Sequence, residues 1–182
     1  MKRLYSKIVF VFTVIGLFSF ESNAQDFKTL DKSPHDIVYF RANKISPPTI
    51  KVLYGRPQKN EREIFGGLIP YDKIWRVGAD EATEIQFYKD VFFGIRKVKA
   101  GTYVLYAIPN EKEWTLILSS NLDVWGAYEY EVKYDVARVK AKVSRAESIE
   151  AFSIGFKQKS KHVNLILGWD RTRVTLPITI IQ

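Results

Sequence analysis

Residues 102–118 read TYVLYAIPNEKEWTLIL and are the clearest guide to the fold. Two runs rich in β-branched and aromatic residues, 102–108 and 114–118, flank the polar segment PNEKE at 109–113. Runs of this composition favour strands, and a proline followed by polar residues favours a turn. The stretch therefore predicts a β-hairpin, with the preceding residues 99–101 forming the turn that leads into it.

Similar short runs occur on both sides of this hairpin. They lie at 49–54, 84–88, 92–98, 136–143, 151–156, 163–169 and 174–180. In 136–143, for example, Val139 and Ala141 alternate with Arg138 and Lys140. Eight or nine short alternating strands, without a long helical period, predict an all-β fold built from antiparallel strands. We expect a β-sandwich of jelly-roll type.

The first 24 residues have the pattern of a secretory signal peptide. Lys2, Arg3 and Lys7 precede an apolar run at 8–20, and small residues precede a cleavage position near Ala24. The apolar run, about 13 residues, is shorter than the roughly 20 that span a bilayer. We expect residues 1–24 to be removed, leaving no integral membrane segment and a periplasmic or secreted protein. Residues 25–47 are predicted to be an N-terminal lead-in segment, and 48–182 a single β-sandwich domain.

Composition limits the kinds of metal, catalytic and nucleic-acid-binding site that the chain can form. The chain has no cysteine and only two histidines, which excludes thiolate sites and argues against a histidine-rich zinc site. It has no GxSxG elbow and no DxDxDG-like calcium loop. The net charge is +8, but the basic residues alternate along strands rather than form the dense patch of a nucleic-acid-binding protein. We therefore predict no metal, no cofactor and no nucleic-acid partner.

The segment 55–83, GRPQKNEREIFGGLIPYDKIWRVGADEAT, is long for a connection between two strands. Its candidate site residues are Arg56, Arg62, Trp75, Arg76, Asp80 and Glu81. Extending the alternation of strand 84–88 backwards places Glu81 on the apolar face. A carboxylate there needs a partner, and the three arginines are the natural choices because guanidinium groups pair bidentately with carboxylates. The charges are either a recognition site or a buried ion-pair network that fixes the connection.

Aromatic residues cluster in a second segment, 125–134. Trp125 and Tyr128 are its candidate ligand-binding residues, because exposed rings of this kind stack on sugars. The alternative is that the rings close one end of the sandwich.

These features favour a binding module for carbohydrate or another small polar ligand. One alternative is a small glycosidase-like hydrolase using Asp80 or Glu81, although adjacent carboxylates do not establish the required separation. Another is a structural, envelope-associated protein. The sequence leaves open whether the protein is an enzyme and identifies no catalytic residue.

Five blocks in order also resemble one known family. They are 54–91 (YGRPQKNEREIFGGLIPYDKIWRVGADEATEIQFYKDV), 98–118 (VKAGTYVLYAIPNEKEWTLIL), WGAYEY, EAFSIGF and LILGWDRTRVTLPI. From about Ser33 onwards the chain resembles the exported bacterial proteins called domain of unknown function 2911. Asp72 and Arg96 depart from it, standing where the family's turns have glycine. The resemblance implies a compact exported β-sandwich and no particular activity.

Overall fold

The computed structural model describes residues 29–181, which include nine strands, one 3₁₀ turn and no α-helix. The strands are β1 (His35–Arg41), β2 (Pro48–Gly55), β3 (Glu84–Phe87), β4 (Val91–Phe93), β5 (Arg96–Val98), β6 (Gly101–Ile108), β7 (Glu113–Ser119), β8 (Asp135–Lys159) and β9 (His162–Ile180); the 3₁₀ turn is Val132–Tyr134. Every strand pair is antiparallel, in the order β1-β2-β3-β6-β7-β8-β9-β4-β5. The prediction of an all-β antiparallel fold is confirmed, with hydrogen bonds joining all nine strands. The predicted signal peptide lies outside the described residues.

The hairpin predicted from residues 102–118 is β6 and β7, paired from Val104↔Ser119 to Ile108↔Thr115. Its neighbours in the sheet are β3 and β8. Within the described part of the chain, no helix has the length and apolar character needed to cross a membrane.

Two predicted strand boundaries are wrong. Runs 136–143 and 151–156 belong to one 25-residue strand, β8, and runs 163–169 and 174–180 to one 19-residue strand, β9. The β8–β9 register shifts between Arg145 and Ile149 and again between Ile149 and Ser153. The residues between the two predicted runs of β8 therefore form irregularities within the strand pair. The first part of β8 pairs with β7 and the rest with β9.

The run 92–98 is also two strands rather than one. β4 and β5 form a tight hairpin around Gly94, whose φ of +59° lies in the left-handed region that glycine adopts readily. The segment assigned to a lead-in, 25–47, contains β1, which pairs along β2. Phe40 of β1 packs against Phe156 of β8, with ring centroids 5.9 Å apart, so β1 and β8 are in contact although they are not neighbours in the sheet.

Aromatic side chains fill the centre of the main core. Trp75, Trp114, Trp169 and Phe152 are buried, and Trp75 makes ring contacts with the other three at centroid distances of 5.2–6.4 Å. A smaller apolar cluster lies beneath residues 122–130 and includes Ala82, Val104, Tyr106, Ile117 and Val124. Because Trp75 and Ala82 both come from the 55–83 segment, that segment contributes to both clusters.

Candidate functional site

The 55–83 segment is held in place by several elements. The Lys59 amide donates to the Glu150 carbonyl at 2.8 Å, and the Trp75 amide donates to the Ala107 carbonyl at 2.8 Å. The Asp80 carbonyl accepts from the Gly126 amide at 3.1 Å. A long connection fixed at three places can present side chains in a defined geometry.

The part of this segment between Arg76 and Asp80 has a strained backbone. Val77 has φ +58° and Asp80 has φ +60°. A β-branched residue in the left-handed region is a true outlier, and such strain persists only where the surroundings impose it. Here Val77 is fully buried, and its carbonyl accepts a hydrogen bond of 2.7 Å from the Thr83 hydroxyl.

Close backbone packing holds the same turn from its other side. A Cβ added to Gly55 would overlap the Ala79 carbonyl, and one added to Gly78 would lie 2.8 Å from the Gly55 carbonyl oxygen. The end of β2 and the strained turn therefore touch through backbone atoms, which only glycine permits at these two positions.

A cleft opens beside the strained turn and has a volume of about 440 Å³. We call it the Arg76 cleft, and its lining includes Arg62, Lys73, Trp75, Arg76, Asp80 and Trp169. Three of these side chains are cationic and one is a carboxylate, so the cleft is electropositive.

Two of the three predicted arginines have structural partners. Arg56 donates from Nη1 to Asp36 Oδ2 at 2.9 Å and from Nη2 to Ser153 Oγ at 3.1 Å. Arg62 donates to two carbonyl oxygens in its own segment, those of Gln58 at 2.6 Å and of Lys59 at 2.9 Å. Arg56 does not line the cleft. Arg62 lines the cleft, and its two hydrogen bonds also stabilise the loop.

Arg76 differs from both. Among residues 29–181 it forms no ion pair, and its buried Nε–H, like that of Arg56, has no hydrogen-bond acceptor. The buried indole N–H of the adjacent Trp75 also lacks an acceptor. Both groups are donors only, so an acceptor oxygen from outside the described chain could satisfy either.

The prediction that Glu81 points inward to an arginine is wrong. Its side chain is 56% exposed, and its partner is His35, with Nε2 3.2 Å from Oε2. The alternation of β3 does not extend back to residue 81 because Ala82 and Thr83 are both buried. Glu81 instead lies opposite Trp125 in an isolated antiparallel bridge.

The two predicted acids also lie in different depressions. Asp80 lines the Arg76 cleft, whereas Glu81 lines a separate depression with His35, Glu84 and Asp123. Asp80 is therefore not joined in its cleft by the second carboxyl group that glycosidase chemistry requires.

Trp125 and Tyr128 are exposed, Tyr128 by 82%, so the alternative that these two rings close an end of the fold is wrong. Tyr128 lies close to Arg76. A Cβ added to Gly126 would be 3.0 Å from the Tyr128 ring and 3.3 Å from Arg76 Nη1. The aromatic segment and the cleft are thus adjacent.

Tyr130 has the structural role instead. Its ring packs on Tyr106 at 5.2 Å, and its hydroxyl donates to Asp135 Oδ2 at 2.9 Å. Burial, together with the hydrogen bond and charge of Asp135, raises the pKa of Tyr130 to about 12.

Sequence reasoning missed two features of the site. Lys73, which is not among the predicted site residues, lines the cleft two residues before Trp75. The sequence also gave no sign of the ion pair between Lys59 and Asp170, at 2.8 Å, which ties the 55–83 segment to β9. Hydrogen bonds from Lys59 and then Ser148 lower the pKa of Asp170.

Comparisons with known proteins agree with the family resemblance. No curated protein and no solved structure matches the chain. The family model described as "Protein of unknown function (DUF2911)" matches residues 33–178. This range includes β1 to β8 and all of β9 except its last two residues. The chain therefore belongs to the DUF2911 family.

Proposed function

We propose that the protein is an exported binding module for a small polar ligand, held in the Arg76 cleft. A carbohydrate bearing an acidic group is the class that fits best. Export rests on the signal-peptide pattern of residues 1–24. The ligand assignment rests on the cleft.

The observation that carries this proposal is the pair of unsatisfied donors. A buried N–H without an acceptor costs about 1–3 kcal/mol. Trp75 Nε1 and Arg76 Nε are neighbours in sequence and belong to residues that line one cleft. A ligand oxygen that accepted from either group would recover that cost, and a carboxylate would also gain from the guanidinium charge.

Charge and size support the same ligand class. Arg62, Lys73 and Arg76 outnumber the single carboxylate of Asp80, which disfavours a cationic ligand. Small-molecule sites have volumes of about 300–1,000 Å³. The cleft, at about 440 Å³, falls within that range and is large enough for a monosaccharide.

The aromatic segment favours a sugar over a simple anion. Tyr128 is exposed close to Arg76, and aromatic rings stack on the apolar faces of sugar rings. A uronic acid would place its carboxylate on Arg76 and offer a ring face to Tyr128.

Calorimetric titration and thermal-shift assays with glucuronate and galacturonate, against glucose and galactose as neutral counterparts, test the proposal. We expect binding of an acid with at least about tenfold preference over its neutral counterpart, the effect of one charge-assisted contact. Arg76→Gln should abolish the preference. Arg171→Gln, at an exposed arginine of β9 outside the cleft lining, is the matched control.

Tyr128→Ala separates the two parts of the ligand. It should weaken binding of the acidic sugar and leave binding of acetate unchanged, because acetate has no ring to stack. The proposal is wrong if neither sugar acids nor neutral sugars bind at millimolar concentration, or if Arg76→Gln binds as the wild type does.

Export has its own test. The N-terminal sequence of protein recovered from the periplasm or medium should begin at Gln25. Recovery from the cytoplasm with residues 1–24 attached would contradict it.

A further inference from the structure

The turn between β4 and β5 exposes an aliphatic side chain to an unusual degree. Ile95 is 87% exposed and follows Gly94 at the tip of the hairpin. Arg96 and Lys97 come next and are also exposed. The hairpin is seated firmly, since a Cβ added to Gly94 would lie 3.3–3.4 Å from side-chain atoms of Leu176 and Val139.

More exposed aliphatic side chains lie beside this tip. Val132 and Val136 are both exposed, and they share a depression of about 420 Å³ with Arg96 and Arg138. We use the name Ile95 patch for Ile95, Arg96, Lys97, Val132 and Val136. The patch combines apolar and cationic groups from two segments that are far apart in sequence, residues 95–97 and residues 132–136.

The patch is electropositive. Within the part of the chain that the structure describes, Arg96 and Lys97 form no ion pair. The nearby acids already have cationic partners: Asp90, which also interacts with the charge of Lys97, pairs with Lys99 at 2.9 Å. Asp135 pairs with Arg138 at 3.2 Å, and Glu131 pairs with Lys133 at 2.7 Å. The two cations nearest the tip are therefore available to an anionic partner.

We propose that the Ile95 patch is a docking surface for the face of an anionic phospholipid bilayer. Exposed aliphatic side chains gain by entering the boundary between headgroups and acyl chains, and neighbouring cations gain from anionic headgroups. An isoleucine that protrudes at the tip of a hairpin, with unpaired cations beside it, fits a deformable and anionic lipid interface. Arg96, beside the depression, is placed to contact a lipid phosphate.

The absence of cysteine from the chain gives a direct test of this surface. Ile95→Cys would carry an environment-sensitive fluorophore as the only label on the full-length protein. Ile45→Cys is the matched control, because Ile45 is 94% exposed and lies in the β1–β2 connection, outside the patch. A local readout is needed because the apolar run at 8–20 could bind vesicles by itself.

With vesicles containing one third phosphatidylglycerol, the label at 95 should shift to shorter wavelength and the label at 45 should not. Vesicles of phosphatidylcholine alone should give little change at either position. Reversing Arg96 and Lys97 to glutamate should raise the anionic lipid concentration needed for the shift by about tenfold or more. Reversing Lys112 and Lys142 instead, an equal charge change outside the patch, should not.

Three results would overturn the proposal: no shift at 95 with anionic vesicles, equal shifts at 95 and 45, or equal effects of the two charge reversals. Self-association that produced the shift at 95 without lipid would assign the patch to a second copy of the chain instead. Near-ultraviolet circular dichroism of each labelled variant establishes that it is folded.

Discussion

Thr83→Val tests whether the strained turn beside the cleft is held by one buried hydrogen bond. The Thr83 side chain is fully buried, and its hydroxyl donates to the Val77 carbonyl at 2.7 Å. Valine has nearly the shape of threonine, so the substitution removes the donor and leaves the packing almost unchanged. The Thr83 amide, which donates to the Arg76 carbonyl at 3.1 Å, is retained.

The expected loss of stability follows from two opposing effects. Removing a buried donor from its acceptor costs about 1–3 kcal/mol. Holding Val77 in the left-handed region costs about 1–2 kcal/mol, and part of that is recovered if the turn relaxes once it is released. We therefore expect a net loss of about 1–2 kcal/mol, which corresponds to a fall in melting temperature of about 2–8 °C for a chain of this size.

Urea denaturation measures this loss, with an unchanged m-value showing that the folded and unfolded states keep their exposed surface. Amide exchange at Gly78 and Ala79 should accelerate, because these residues belong to the released turn. Thr115→Val, at a half-buried strand threonine, is the control and should change stability by less than about 0.5 kcal/mol. A Thr83→Val protein within about 0.3 kcal/mol of wild type, with unchanged exchange, would show that packing alone holds Val77.

Three further predictions concern the anchoring of the 55–83 segment. Gly55→Ala should destabilise by about 2–3 kcal/mol in urea denaturation, since the new methyl group overlaps the Ala79 carbonyl. Asp170→Asn should destabilise by about 1 kcal/mol at pH 7. The pKa of Asp170 is lowered below its ordinary 3.8, so the carboxylate stabilises the fold above that pH. This stabilisation is lost as pH falls through the folded-state pKa. The difference in stability between Asp170→Asn and wild type should therefore vanish in an acid denaturation series. Glu81→Gln should change the melting temperature by less than about 3 °C, as expected for an exposed pair; a larger fall would contradict its surface position.

The strands could be predicted because alternation is a local property. In 136–143, Val139 and Ala141 are buried while Arg138 and Lys140 are exposed, as the sequence indicates. The continuity of β8 could not be predicted in the same way. Its irregular stretch, from Arg145 to Ser153, is part of a strand only because it pairs with β9 in shifted register, which is a tertiary effect.

The partners of the charged residues were beyond sequence reasoning for a similar reason. Arg56 takes Asp36, 20 residues earlier, and Ser153, 97 residues later. Local parity failed at Glu81 because Ala82 and Thr83 are both buried, so the alternation of β3 has already ended before residue 81. The sequence identified the segment that lines the Arg76 cleft but could not distinguish which of its arginines have an ion-pair partner.

The missing ion pair of Arg76 favours a ligand site over an ion-pair network that only fixes the connection. A purely structural network would pair its charged groups, as Arg56 does with a carboxylate and a hydroxyl and Arg62 does with two carbonyls, although the Nε–H of Arg56 has no acceptor. Arg76 immediately precedes the strained Val77 and has a buried donor without an acceptor, so the structure bears two local costs at one place. Anchoring the segment requires neither cost, because the bonds of Lys59 and Trp75 already fix it. In the binding module that we propose, both costs serve to place the Arg76 cation at the adjoining cleft.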